Sequence, residues 1–266
     1  MTTTHTLDIA GGRLHYEVRG SGPTPLLVMG SPMAAAYFAP LAEALAEQYT
    51  VVTHDPRGIS GSVLDDPTQD STPELRADDV AALMDALGAG SADVFGSSGG
   101  AVTGLALVAR HPQRVRTLVA HEPPLLELLP DAAEQRAAID DIIETFHREG
   151  MGAAYARFMA QAGFTGATQG PPVQPSEQMV ADSRRFFAHE MRGTTRHVPD
   201  IAALKAAPGR IVVGVGAESG GTTPYRTSEA LAGLLGTSPA EFPGDHGGFI
   251  GHPQEFAEVL RKVLSG

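Results

Sequence analysis

Largely apolar runs that alternate with longer helical segments constrain the fold of this chain more than any other feature. Such runs lie at 25–29, 49–53, 92–97 and 115–121, and a stretch with helical spacing separates each run from the next. Strands that are apolar along their whole length are typical of a parallel sheet covered by helices on both faces. The pattern therefore predicts an α/β protein.

Both ends of the chain extend this sheet. Residues 6–18 predict two short strands around Gly11 and Gly12, a glycine pair that suits the turn of an antiparallel hairpin. Two further strands are expected at 210–215 and 240–242, each followed by a helical segment. Counting all of these segments gives a mostly parallel sheet of eight strands.

A long segment without strand signals interrupts the alternation. Residues 123–207 contain three helical stretches and a piece rich in Gly and Pro at 163–175. We therefore predict a core domain made of residues 1–122 and 208–266, with residues 123–207 inserted as a helical cap.

The charge and the cysteine count exclude several classes of function. The chain has 19 Lys and Arg against 31 Asp and Glu, a formal net charge of −12, so nucleic acid is not expected as a partner. With no Cys there is no disulfide, thiolate metal site or Cys nucleophile. No apolar run is long enough for a membrane span, and the first residues lack the pattern of a signal peptide. We expect a cytoplasmic protein, a monomer or homodimer, without a membrane partner.

The sharpest local motif is the stretch from Gly96 to Gly100, a G-x-S-x-G pattern centred on Ser98 where a predicted strand meets a predicted helix. Turning a strand sharply into a helix crowds the backbone, and flanking glycines remove the Cβ atoms that would collide. The turn presents the serine hydroxyl at the carboxyl end of the sheet, where open α/β folds bind ligands. Ser98 is therefore the predicted nucleophile.

A serine nucleophile needs a base, and His246 is the best placed of the ten histidines. It lies in a glycine-rich loop after the last strand and before the final helix. The orienting acid is predicted to be Glu122, at the end of the strand that follows the nucleophile helix. Glu218, after the strand at 210–215, is the reserve acid, although its side chain would need a distorted loop to reach His246.

Two backbone N–H groups should stabilise the negative charge that develops on the attacked carbonyl oxygen. The amide of Gly99 follows the nucleophile at a helix N-terminus, and the amide of Ser31 belongs to the loop after the first parallel strand. No set of three convergent side chains predicts a metal site, and no complete dinucleotide fingerprint is present. We expect neither a metal nor a cofactor.

Over essentially its whole length the chain resembles an α/β-hydrolase. The similarity rests on the glycine-flanked serine, the Asp55-Pro56-Arg57-Gly58 loop and the Pro243-Gly244-Asp245-His246 loop. Within that superfamily, the chain is most similar to the zearalenone-lactonase group, because His121-Glu122-Pro123 follows 24 residues after the glycine-flanked serine motif. In that group the acid stands at the end of the strand after the nucleophile, so the resemblance implies Glu122. Position 219, where most related serine enzymes carry the acid, holds a serine here. That group stacks its aromatic lactone on a cap Trp, and this sequence has none.

These residues predict a serine hydrolase that cleaves a small-molecule substrate, a medium-sized apolar carboxylic ester or lactone, through an acyl-enzyme on Ser98. Substrate-lining residues are expected at Pro32 and, in the cap, at Phe158, Phe187 and Met191. Three alternatives use the same scaffold. They are a carbon–carbon bond hydrolase, a cofactor-free perhydrolase or acyltransferase, and a non-catalytic ligand receptor.

Overall fold

One sheet extends through the chain and sets the position of the other elements. The computed structural model describes residues 2–162 and 175–266. The strands in this part of the chain are β1 (Thr2–Ile9), β2 (Gly12–Arg19), β3 (Thr24–Met29), β4 (Tyr49–His54), β5 (Val63–Leu64), β6 (Ala92–Ser97), β7 (Val115–His121), β8 (Arg210–Gly216) and β9 (Ala240–Phe242).

Eight strands lie side by side in the order β1-β2-β4-β3-β6-β7-β8-β9, and the short β5 pairs with β2. The pairings of β2 with β1, β4 and β5 are antiparallel. From β4 across to β9 every neighbouring pair is parallel. The prediction of a mostly parallel eight-stranded sheet is confirmed, and β5 adds a ninth, two-residue strand.

Apolar residues occupy both faces of the central strands, which explains the unbroken runs in the sequence. In β3, Leu27 and Met29 belong to one core cluster, whereas Leu26 and Val28 belong to another. Successive side chains of a strand point to opposite faces, so these two clusters lie on the two sides of the sheet. Each side must then be covered by helices.

The described helices are α1 (Ala39–Leu45), α2 (Pro73–Ala86), α3 (Gly99–Arg110), α4 (Ala132–Glu149), α5 (Met151–Gln161), α6 (Glu177–His189), α7 (Met191–Thr195), α8 (Ile201–Ala206), α9 (Thr223–Leu235), α10 (Gly248–Gly251) and α11 (Pro253–Ser265). Three short 3-10 helices lie at Ala35–Phe38, Pro112–Arg114 and Leu126–Leu128. None of the described helices is both long enough and apolar enough to cross a bilayer.

The helices divide between the two sides of the sheet. Leu41 and Leu45 of α1 and Phe256 of α11 pack in the cluster that contains Leu26. The helices α2, α3 and α9 contribute to the cluster on the other side. Local sequence fixes where they begin, as at α2, where the Thr72 hydroxyl accepts a hydrogen bond from the Leu75 amide.

Between β7 and β8 the described residues form helices and no strand. Helices α4 to α7 enclose a small core of their own, which includes Ile139, Ile142 and Phe186. Residues 163–174, most of the predicted Gly- and Pro-rich piece, lie outside the described residues. The division into a core and a cap at 123–207 stays a prediction.

Helix α6 is joined by side-chain hydrogen bonds to residues on both sides of β5. The Asp182 carboxylate accepts from the Ser60 amide at 2.8 Å and from the Ser60 hydroxyl at 2.6 Å. The Arg185 guanidinium donates to the carbonyl oxygens of Pro67 at 2.8 Å and Gln69 at 2.7 Å. We call these contacts the α6 clamp. They fix the helix that carries Phe186 relative to the sheet.

Candidate active site

Ser98 occupies a sharp turn between β6 and α3. Its backbone has φ 55° and ψ −125°, a conformation that residues with a side chain rarely adopt. The Ser98 amide donates to the His121 carbonyl oxygen at 2.9 Å, which ties the turn to the end of β7. A Cβ atom on Gly96 would lie 2.5 Å from the Gly100 carbonyl oxygen. Glycine at position 96 is therefore what allows the turn to close.

The loop after β3 packs directly against this turn. A Cβ atom on Gly99 would lie 2.6 Å from the Ser31 carbonyl oxygen, and one on Gly100 would lie 2.4 Å from that of Met29. Ser31, Ser98 and Gly99 all line one cavity. The structure therefore brings together the two segments whose amides the sequence predicts as oxyanion donors.

Glu122 and His246 form a buried hydrogen bond. The His246 Nδ1 atom lies 2.6 Å from Glu122 Oε2, and the side chains are 4% and 0% exposed. Glu122 Oε1 accepts from the Gly216 amide at 2.8 Å, so both carboxylate oxygens have partners. The Glu122 backbone has φ 49°, which is also unusual for a residue with a side chain.

Glu122 is ionised in this environment. Burial by itself raises the pKa of the Glu122 carboxyl. The hydrogen bond to His246, the charge of His246 and the hydrogen bond from the Gly216 amide lower it by a larger amount, so the pKa falls to about 2. An ionised carboxylate can only accept, so Nδ1 of His246 carries the proton of this hydrogen bond. His246 lines the same cavity as Ser98.

A second histidine, His121, packs beside His246. The His121 ring is stacked on that of His246, with centroids 6.4 Å apart, and its Nδ1 lies 3.1 Å from the Ser97 hydroxyl. Burial lowers the pKa of His121 to about 4. Because His121 stays neutral near pH 7, it places no positive charge beside the imidazole of His246.

The reserve acid lies elsewhere. Glu218 is exposed, whereas Glu122 is fully buried against His246. Ser219, at the position where the resemblance would put the usual acid, is buried, and its hydroxyl has no hydrogen-bond partner among the described residues. The geometry therefore favours Glu122 over Glu218, and both roles stay predictions.

The cavity beside Ser98 has a volume of about 40 Å³ and a mainly apolar wall. Phe158 and Met191, both in the segment predicted as the cap, line it as the sequence suggested. Phe186 also lines it, whereas the neighbouring Phe187, which is 1% exposed, is not among the described residues of its wall. Adjacent residues of a helix face different directions, so the expectation for Phe187 is corrected to Phe186. Among the described residues that form the wall, Pro32 is absent.

Two residues in contact with this site had no signal in the sequence. The Ser31 hydroxyl donates to Glu190, and Glu190 pairs with Arg76. These residues come from three distant parts of the chain, and no spacing pattern connects them. Only the tertiary fold, which places Glu190 beside Arg76 of α2, brings them together.

Comparison with known proteins identifies the family. A family model described as alpha/beta hydrolase fold matches residues 26–168. The uncharacterized hydrolase YraK of Bacillus subtilis (strain 168) is 36% identical over 97% of this chain and 95% of its own length.

Solved structures agree with this match at the level of the fold. A thermophilic esterase from Thermogutta terrifontis has a TM-score of 0.77 at 22% identity, with 98% of each chain covered. Est816, described as an N-acyl homoserine lactone degrading enzyme, has a TM-score of 0.74 at 21% identity, with 97% of this chain and 99% of its own covered. From the family match and the identity to YraK, we conclude that the chain belongs to the alpha/beta hydrolase fold family.

Proposed function

We propose that the protein is a serine hydrolase that cleaves carboxylic esters or lactones through an acyl-enzyme on Ser98. The observation that carries the proposal is the 2.6 Å bond between His246 Nδ1 and Glu122 Oε2, on a histidine that lines the same cavity as Ser98. A base oriented by a carboxylate beside a serine on a sharp turn is the arrangement that acyl transfer requires.

Acylation begins when His246 Nε2 takes the proton of the Ser98 hydroxyl as Oγ attacks the substrate carbonyl carbon. The carbonyl oxygen becomes an oxyanion, and the amides of Ser31 and Gly99 donate to it. His246 then gives its proton to the leaving alcohol oxygen as the ester C–O bond breaks. In a lactone this alcohol remains attached to the acyl group.

Deacylation repeats these steps with water. His246 takes a proton from the water as its oxygen attacks the acyl carbon, and then returns a proton to Ser98 Oγ as the acid leaves. Glu122 stabilises the imidazolium that forms in both halves, and its own pKa of about 2 keeps it ionised throughout.

The cavity wall favours an apolar acyl group of small size. Leu126, Ile139, Phe158, Phe186 and Met191 present apolar surface beside Ser98, in a volume of about 40 Å³. The esterase and the acyl homoserine lactone degrading enzyme with the same fold have activities of the proposed class. The similarity to the zearalenone-lactonase group stays a prediction.

The first test is hydrolysis of p-nitrophenyl acetate and butyrate and of a panel of lactones. We expect turnover by the wild type and a loss of at least about 10³-fold in kcat for Ser98→Ala. A fluorophosphonate should phosphonylate Ser98 with loss of fluoride, and mass spectrometry should show one added phosphonyl group per chain. The matched control is Ser183→Ala, a serine on α6 whose hydroxyl bonds only to a backbone oxygen of its own helix among the described contacts.

The outcomes separate the alternatives. Turnover of β-diketones but not esters would indicate a carbon–carbon bond hydrolase. Peracid or ester formation in the presence of peroxide or alcohol, faster than hydrolysis, would indicate a perhydrolase or acyltransferase. Tight ligand binding with no turnover and no labelling of Ser98 would indicate a receptor and contradict the proposal.

A further inference from the structure

A buried ion pair lies behind the cavity wall. Arg76 of α2 and Glu190, between α6 and α7, have side chains that are 2% and 0% exposed, and Arg76 Nη1 donates to Glu190 Oε1 at 3.2 Å. Neither residue is among those that line the cavity in the described part of the chain. The pair therefore has no direct access to a substrate there.

One branch of hydrogen bonds runs from this pair to the loop after β3. The Ser31 hydroxyl donates to Glu190 Oε1, the same oxygen that Arg76 contacts. The residue after Glu190, Met191, lines the cavity. Glu190 thus fixes the side chain of the residue whose amide is the proposed second oxyanion donor.

A second branch runs to the other proposed donor. Arg76 Nε donates to the Thr103 hydroxyl at 2.9 Å, and that hydroxyl donates to the Gly99 carbonyl oxygen at 3.0 Å. Arg76 Nη2 donates to the hydroxyl of Thr194, a cavity residue, at 2.9 Å. A single guanidinium therefore connects both oxyanion segments and the cap side of the cavity.

The cost of burying this pair indicates a role other than stability. Burial raises the pKa of Glu190 and lowers that of Arg76, the directions expected when charged forms lose their hydration. Glu190 Oε2 is buried without a hydrogen-bond partner among the described residues. Apolar residues of similar volume would often stabilise a fold as well as or better than a buried pair. What they could not do is hold two polar segments in fixed positions.

We propose that Glu190 and Arg76 are positioning residues that hold the Ser31 and Gly99 amides in the geometry required to stabilise the oxyanion. This inference rests on the proposed serine hydrolase function. Preorganised donors need no reorientation during the reaction, and displacement by a fraction of an ångström weakens them. The network acts from the side of the donors that faces away from the substrate.

The test uses p-nitrophenyl acetate hydrolysis by Ser31→Ala, Thr103→Val and Glu190→Ala. Ser31→Ala keeps the amide and removes only the hydroxyl, and Thr103→Val is nearly isosteric, so both variants should fold. We expect kcat to fall about tenfold in each of these two and at least as much in Glu190→Ala, with KM changed less than threefold. Glu190→Gln, which retains an acceptor oxygen, should recover part of the loss.

Two further measurements separate positioning from a general structural effect. A trifluoromethyl ketone forms an oxyanion when Ser98 adds to it, so its affinity should fall in parallel with kcat, whereas the affinity of the matched methyl ketone should not. Adding Ser31→Ala to Glu190→Ala should lower kcat no further, because both changes break the same contact. Multiplicative losses in the double variant would overturn the proposal.

The control is Asp79→Asn, which disrupts another buried pair on α2, with Arg57 at 2.6 Å. It should lower stability but leave kcat within about twofold. Wild-type activity together with unchanged kcat in the Ser31, Thr103 and Glu190 variants would overturn this inference alone. A wild type that neither hydrolyses esters nor binds the trifluoromethyl ketone would overturn the proposed function and this inference with it.

Discussion

Ser98 and Glu122 both have positive φ, at 55° and 49°. Conformations of this kind cost about 1–3 kcal/mol each for residues with side chains and persist only where the surrounding contacts enforce them. In this chain the contacts are the amide of Ser98 bound to His121 and the amide of Glu122 bound to the Gly214 carbonyl oxygen at 3.0 Å. Both residues of the proposed triad that come from the sheet are therefore held by backbone contacts to a neighbouring strand.

The identity of the acid can be tested by two matched substitutions. Glu122→Gln should lower kcat by roughly 10² to 10⁴-fold, because the amide no longer stabilises the imidazolium and can favour the wrong tautomer of His246. Glu218→Gln changes an exposed side chain and should leave kcat within about twofold. Steady-state hydrolysis of p-nitrophenyl acetate measures both. Collapse of activity in Glu218→Gln with normal activity in Glu122→Gln would contradict the assignment.

At this scale the sequence predicts residues whose chemistry depends on local motifs. Ser98 is identified by its glycines, and His246 by its loop after the last strand. Glu122 follows from its place at the end of β7, although its positive φ cannot be inferred from a glutamate in the sequence. Glu190 could not be predicted, because its contact with Ser31 depends on how α6 and α7 pack against the core.

At the scale of elements, the strand–turn–helix unit of β6 and α3 depends on close backbone approach. A Cβ atom on Gly96 would meet the carbonyl oxygen of Gly100 at 2.5 Å and Cα of Ala101 at 2.9 Å. These contacts are to backbone, so a side-chain rotation cannot relieve them. The glycine is required by geometry as well as by the motif.

Gly96→Ala should destabilise the protein by about 1–3 kcal/mol and lower kcat by roughly 10²-fold, because the turn that holds Ser98 must shift. Gly90→Ala is the matched control, since a Cβ there has open space within 4 Å and Gly90 lacks a positive φ. Its free energy of unfolding should change by less than about 1 kcal/mol. Urea denaturation and ester hydrolysis measure the two effects, and equal destabilisation by both substitutions would contradict the argument.

The accuracy of the predicted elements follows from their length and burial. The bounds predicted for β6 and β7 coincide with those of the structure, because each segment is buried and ends at a residue with a clear signal. The short α7 and α10 and the two-residue β5 were not predicted. Segments of two to five residues carry too few positions for a periodic pattern and depend on tertiary contacts.

At the scale of the whole molecule, two fully buried histidines make stability depend on pH. Burial lowers the pKa of both His54 and His121 from 6.5 to about 4. Below pH 6.5 the unfolded chain takes up protons that the folded chain does not. The part of the free energy of unfolding that depends on these two histidines is therefore at its full value above pH 6.5, and it is lost as the pH falls toward 4.

Between pH 7.5 and pH 5 each of these histidines should lower the free energy of unfolding by on the order of 2 kcal/mol. His54→Gln should remove about that much of the pH dependence. His147→Gln, on an exposed residue, is the control and should keep the wild-type dependence. Urea denaturation at the two pH values gives the comparison. An unchanged dependence in His54→Gln would contradict the assignment to burial.

The α6 clamp has a consequence for engineering. The contacts of Asp182 and Arg185 reach Ser60, Pro67 and Gln69, which lie outside the segment 123–207 that the sequence predicts as a cap. A chimera that received only the helical segment of a relative would lose these partners and leave charged groups unmatched. Grafting a new substrate preference onto this scaffold therefore requires transfer of residues 60–69 together with the helices, as a single transplantable unit.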